Sequence, residues 1–145
     1  MKIAMYKGPP TGFWHKVGHE ATCLWTFSEY SHCELVFGDA DRSGRHLCAS
    51  SSARDGGVRF KRIDLSTGRW DLYPIKGDEA AAYQWFVQHQ GKQYDCLGLA
   101  WFVLPIEQFN DPDRYVCSEA IAAALGYARP HKFHPQRVLD RAMKA

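Results

Sequence analysis

The chain lacks a long apolar run, a block of one charge and an even set of cysteines, and each absence removes a class of protein. Its longest apolar stretch, Cys96 to Ile106, is interrupted by Pro105 and closed by Glu107, whereas a membrane span needs about 20 residues. The apolar run at the start stops after Tyr6, too short for the core of a secretory signal. The expectation is a protein without a membrane span or general export signal, cytoplasmic by default, with delivery to an envelope or a phage particle left open. The 18 Lys and Arg and 16 Asp and Glu are scattered and leave a net charge of +2. No basic stripe results, which argues against nucleic acid as a partner. Five cysteines, an odd number at irregular spacings, make no disulfide framework and read as free thiols in a reducing compartment.

What is present is ordinary in bulk and rich in aromatics. With 145 residues, 46% hydrophobic and 23% charged, the chain has the size and composition of one globular domain, residues 1–145. Five Trp, eight Phe and seven Tyr imply an aromatic core or cleft. No internal repeat, low-complexity tract or linker divides it.

Periodicity assigns the elements. Lys2–Lys7 reads as a short first strand ended by Gly8-Pro9-Pro10. Phe13, Val17, Ala21, Leu24 and Trp25 recur at helical spacing over Gly12–Phe27. His32–Phe37, His46–Ser50, Val58–Ile63 and Trp70–Ile75 read as strands, with Asp55-Gly56-Gly57 a turn between two of them. Their short connections predict an antiparallel meander. Asp78 caps a helix that closes near Gly91, Asp95–Val103 predicts a more apolar helix, and Cys117–Leu125 an alanine-rich one ended by Gly126. Pro135–Lys144 predicts a last short helix. The expected fold is α+β, a helix and a four-strand antiparallel sheet followed by helices.

The chemistry centres on Cys117 and His32. A cysteine opening a helix sits at the positive end of the helix dipole, which favours the nucleophilic thiolate. Unpaired N–H groups of the first turn can face a developing oxyanion. His32 at a strand start supplies a base, and Glu34, two residues on, emerges on the same strand face and can orient the imidazole. A plainer reading stands beside this one. A cysteine in an alanine-rich helix also serves as a small buried hydrophobe, and a histidine and a glutamate on a strand can be a solvated edge.

The segments SHCELVF, SSSARDGGVRF, Tyr94-Asp95 and YVCSEAIAAALG together resemble the permuted branch of the NlpC-type papain-like cysteine hydrolases, the YiiX/YebB-like group, from about Trp25 to Leu125. The resemblance implies a circularly permuted papain-like fold in which the histidine strand precedes the cysteine helix, the order found here. It also implies a thiol hydrolase, a cysteine peptidase or amidase, acting through a thioacyl intermediate. Cys117 is then the nucleophile, His32 the base and Glu34 the orienting residue. Ser50, on the strand after the histidine, is the alternative orienting residue. No metal or organic cofactor is implied. The substrate is expected to be a peptide or peptidoglycan fragment, or an acyl lipid, because the superfamily includes relatives acting on acyl groups. A catalytically silent binding module of the same fold is the competing class.

Two further constellations compete for attention. Tyr94–Leu99 (YDCLGL) resembles the cysteine motif of the unpermuted branch, which would make Cys96 the nucleophile and His131 or His134 its base. The apolar flanks of Cys96 would raise its pKa, and both histidines lie between Pro130 and Pro135, a poor strand, so Cys117 is preferred. His15, His19 and Cys23 suggest zinc, but a helix separates the outer two by about 12 Å along its axis. One ion cannot reach both at about 2 Å, and a polar helix edge is the favoured reading.

Overall fold

A computed structural model describes residues 1–8, 29–95 and 111–144. It is a mixed α+β structure with a mostly antiparallel sheet. The strands are β1 (Lys2–Tyr6), β2 (His32–Phe37), β3 (His46–Ser52), β4 (Gly57–Ile63), β5 (Trp70–Pro74), β6 (Gln93–Tyr94) and β7 (Arg114–Tyr115). The described helices are α1 (Glu79–His89), α2 (Cys117–Ala124) and α3 (Pro135–Lys144). The helix expected over Gly12–Phe27, and the one expected over Asp95–Val103 beyond its first residue, lie outside the described residues.

The sheet runs β5-β1-β2-β3-β4-β6-β7, and only the β6–β7 pair is parallel. The expected meander holds for β2, β3 and β4, but β1 inserts between β2 and β5, pairing antiparallel with both. The reason is visible in its composition. Ile3, Ala4 and Met5 are all fully buried, so both faces and both edges of this strand need cover, which a central position supplies. The sheet also gains β6 and β7, two-residue strands too short to carry a periodic signal.

Strand alternation sorts the side chains into two layers. On one face Ile3, Met5, Cys33, Leu35, Phe37, Ala49 and Val58 form the main core with Phe86 of α1, Cys117, Ala120 and Ile121 of α2, and Val138 and Leu139 of α3. On the other, Ala4, Val36, Cys48 and Leu65 make a smaller cluster against Ile63 and Trp70. His32 and Glu34 alternate with Val36 on this second face.

The helix ends obey local chemistry. Asp78 caps α1 by accepting a hydrogen bond from the Ala81 N–H at 2.9 Å. Gly126, at φ 73°, closes α2 and lets the Tyr127 N–H turn back onto the Ala122 carbonyl at 2.9 Å. None of the described helices is long and apolar enough to cross a membrane.

Candidate active site

Cys117 is the first residue of α2, directly after the N-cap Val116, whose backbone is extended. Two serine anchors hold this junction. Ser51 Oγ donates to the Tyr115 carbonyl at 2.6 Å, and Ser118 Oγ donates to the Phe133 carbonyl at 2.6 Å. The cysteine is thus clamped between a bond to the sheet before it and a bond to the Pro130–Lys132 turn region after it. Glu119, at the third helical position, accepts weakly from the Val116 N–H at 3.5 Å. Burial pushes its carboxyl up to about 7, aided by the charge of Asp95 and opposed by that backbone bond.

His32 opens β2 with 24% of its side chain exposed, while Glu34 beside it is 1% exposed. The imidazole is reachable from solvent and the carboxylate is not. His32 Nε2 lies 2.8 Å from Glu34 Oε1, which leaves Nδ1 as the ring nitrogen available to a thiol. Trp70 meets the imidazole edge-on at 6.3 Å between ring centroids, and Tyr6, paired in register with both, packs on Trp70 at 4.9 Å.

Cys117 and His32 are close enough that each shifts the other's ionisation. Burial favours the neutral imidazole, but the charge of Cys117 and hydrogen bonds to Cys117 and Glu34 outweigh it and raise His32 to about 10. The Cys117 thiol is held well below its ordinary value. A hydrogen bond from the Cys33 thiol contributes most, burial opposes it, and the charge and hydrogen bonding of His32 and the Cys33 backbone add to the lowering. Cys33 moves the other way, pushed up by burial and by its bond to Cys117. The two sulfurs are therefore shifted in opposite directions. The arrangement suits nucleophilic attack by Cys117 and proton transfer through His32.

Beside the pair lies an ionic chain, buried at Glu34 and exposed at its Asp55 and Lys61 end. Arg59 on β4 donates to both oxygens of Glu34, Nη1 to Oε2 at 2.7 Å and Nη2 to Oε1 at 2.6 Å. Its Nε donates to Asp55 Oδ2 at 2.8 Å, and Lys61 Nζ donates to Asp55 Oδ1 at 2.7 Å. Burial raises the Glu34 pKa, but the bonds to Arg59 and His32 more than reverse this and leave it lowered. Asp55 falls to about 2 because Lys61 and Arg59 overcome its own partial burial.

Three of the residues singled out from sequence therefore stand together: Cys117, His32 and Glu34. Ser50 does not join them. It is fully buried and its Oγ donates to the Cys33 carbonyl at 2.7 Å, which fixes the backbone beside His32 rather than the ring. His131 lies in the Pro130–Lys132 turn. His134 precedes α3, where its Nδ1 accepts from the Arg137 N–H at 3.4 Å, and burial with the Arg137 charge lowers its pKa. Cys96, His15, His19 and Cys23 lie outside the described residues. Among the described residues no group of three His, Cys, Asp or Glu side chains is placed to hold a metal ion.

Sequence reasoning missed Cys33, Arg59 and Asp55. One signal was available: a glutamate on a mostly apolar strand demands a cationic partner when buried. Which arginine answers depends on the register of β2, β3 and β4, a property of pairing rather than of any one segment. The chain matches no protein-family model and no curated protein.

Proposed function

We propose that the chain is a thiol hydrolase of the permuted NlpC-type, papain-like kind, with Cys117 as nucleophile, His32 as acid and base, and Glu34 as the residue that orients His32. The observation that carries this reading is a helix-opening cysteine near enough to an imidazole for each to shift the other's ionisation, with the imidazole Nε2 held by a buried carboxylate.

The geometry supports a thioacyl mechanism. The Cys117 thiolate attacks the carbonyl carbon of an amide or ester, and the first-turn N–H groups of α2 face the resulting oxyanion. The His32 imidazolium gives its proton to the leaving nitrogen or oxygen as the carbon–heteroatom bond breaks, leaving a thioester on Cys117. A water then loses a proton to His32, attacks the thioester and releases the acid, and the proton returns the pair to its starting state. Glu34 keeps the ring in one orientation throughout.

A bacterial cell-wall peptide is the first substrate class proposed, by resemblance. An acyl ester or amide of a lipid is the second, favoured by the apolar shelf of Tyr6 and Trp70 beside His32.

Two measurements test the reading. Iodoacetamide labelling of Cys117, followed by mass mapping against pH, is expected to stay fast well below the ordinary thiol pKa of about 8.5 and to lose that acidic activity in His32→Ala. A slow reaction that rises only near the free-thiol value and ignores His32 would leave a silent binding module as the better description. Turnover of muropeptides and of acyl esters is expected to vanish in Cys117→Ala and persist in Cys96→Ala. The reverse pattern reassigns the nucleophile to Cys96.

A further inference from the structure

The ionic chain ends at the buried Glu34 carboxylate bonded to His32, and its chemistry constrains what His32 can do. Glu34 Oε1 is shared between Arg59 Nη2 and His32 Nε2. A guanidinium has N–H donors and no acceptor, so both carboxylate oxygens facing it must be acceptors. The two bonds from Arg59 hold Glu34 below the usual carboxylate range against its burial, so Glu34 is ionised and Nε2 of His32 carries the hydrogen between them. In the neutral ring this leaves Nδ1 as the lone-pair nitrogen, the one able to take a proton from the Cys117 thiol. Were Glu34 protonated, its O–H would point at Nε2, the tautomer would reverse, and Nδ1, now carrying the hydrogen, would have no lone pair to take the thiol proton.

We propose that Arg59 is a positioning residue for the Cys117–His32 pair, acting through Glu34 by holding that carboxylate as an acceptor and so fixing the His32 tautomer. The inference rests on the reading of Cys117 and His32 as a catalytic pair. Asp55, bonded to Arg59 Nε, fixes the plane of the guanidinium. Ser50 is what makes the reach feasible. The β2–β3 and β3–β4 registers place it in the row between Glu34 and Arg59, and its small side chain, turned to the Cys33 carbonyl, leaves the long arginine room to cross.

The other groups around Glu34 do not substitute for Arg59. On its own strand His32 bonds to it. From β3, Cys48 faces it with a thiol that burial and the Glu34 charge push up to about 12, against the pull of Arg59. From β1 its register partner is Ala4, which cannot titrate. Cys33, also on β2, has its thiol raised in part by the Glu34 charge, and Lys61 is bonded to Asp55. With Arg59 removed, the remaining influence of burial is to protonate Glu34.

The test is the pH profile of Cys117 alkylation by iodoacetamide in the full chain, with circular dichroism and thermal melting alongside. Arg59→Met is expected to move the acidic limb of the profile upward by about 1 pH unit or more, because the limb now follows protonation of Glu34. Glu34→Gln, whose amide oxygen still accepts from Nε2–H, is expected to retain a reactive pair, and adding Arg59→Met to it is expected to move the limb no further. If Arg59→Met does not fold, Arg59→Lys decides, since a lysine keeps the charge but loses the bidentate fork and should move the limb partway. An unmoved limb in the folded Arg59 variant, or an equal movement in the Glu34→Gln background, overturns the proposal. Failure of the underlying reading looks different: the wild-type profile itself would be that of a free thiol, indifferent to His32→Ala.

Discussion

At the scale of single residues, Cys33 and Cys117 are two buried thiols whose surroundings push them in opposite directions. Both are buried, at 0% and 5% exposure. Cys33 and His32 both act to lower the Cys117 thiol, whereas burial, Cys117 and the Glu34 charge all raise the Cys33 thiol. Cys33→Ala removes the largest contribution that lowers the Cys117 pKa while keeping a small apolar side chain in the core. The expected result is a rise of the Cys117 alkylation midpoint by about 1 pH unit, with little loss of thermal stability. An unchanged midpoint would show that His32 alone sets the thiolate.

Elements act by placing these residues, and α2 and β4 carry most of that burden. The Ser51 and Ser118 bonds at either side of Cys117 set the start of α2 against the sheet, so the helix dipole and the His32 ring converge on the sulfur. β4 depends on one glycine. Gly57, at φ 147°, lies where a Cβ would collide with the Lys92 carbonyl oxygen, because β4 and the start of β6 approach closely there. Gly57→Ala is expected to cost at least about 2 kcal/mol in urea unfolding, from the unfavourable backbone and the displacement of β6. Arg59 is two residues along the same strand, so the variant is also expected to slow Cys117 alkylation at acid pH. Unaltered unfolding would mean that β6 can move away freely.

Over the whole molecule, the ionic chain links acid stability to the site. Glu34 and Asp55 both have folded-state pKa values below their ordinary ones. Their contribution is therefore fully present above the unfolded-state pKa and is lost as pH falls through the folded-state value. For Asp55, which falls from 3.8 to about 2 with 23% of its side chain exposed, the loss lies between pH about 4 and about 2. Its size is roughly 1 kcal/mol after allowing for solvent screening. Asp55→Asn is expected to lower stability by about that amount at pH 7 and by nothing near pH 2. Chemical denaturation at the two pH values checks it, and an equal loss at both would assign Asp55 a packing role instead.

Much of this structure was legible before any coordinate. The alternation in HCELVF, the Asp78 cap, the Gly126 stop and the start of a helix at Cys117 are short-range facts, decided by sterics and hydrogen bonding among neighbours in the chain. The two-residue spacing of His32 and Glu34 likewise placed both on one strand face, and there they bond. Only the tertiary structure decided that β1 lies inside the sheet, that Ser50 bonds to the Cys33 carbonyl rather than orienting His32, and that Arg59 crosses Ser50 to reach Glu34. Those outcomes depend on strand order and register, which follow from how buried faces satisfy one another across the molecule. A periodic pattern reports which way a side chain points; what stands in front of it is settled by the partner strand.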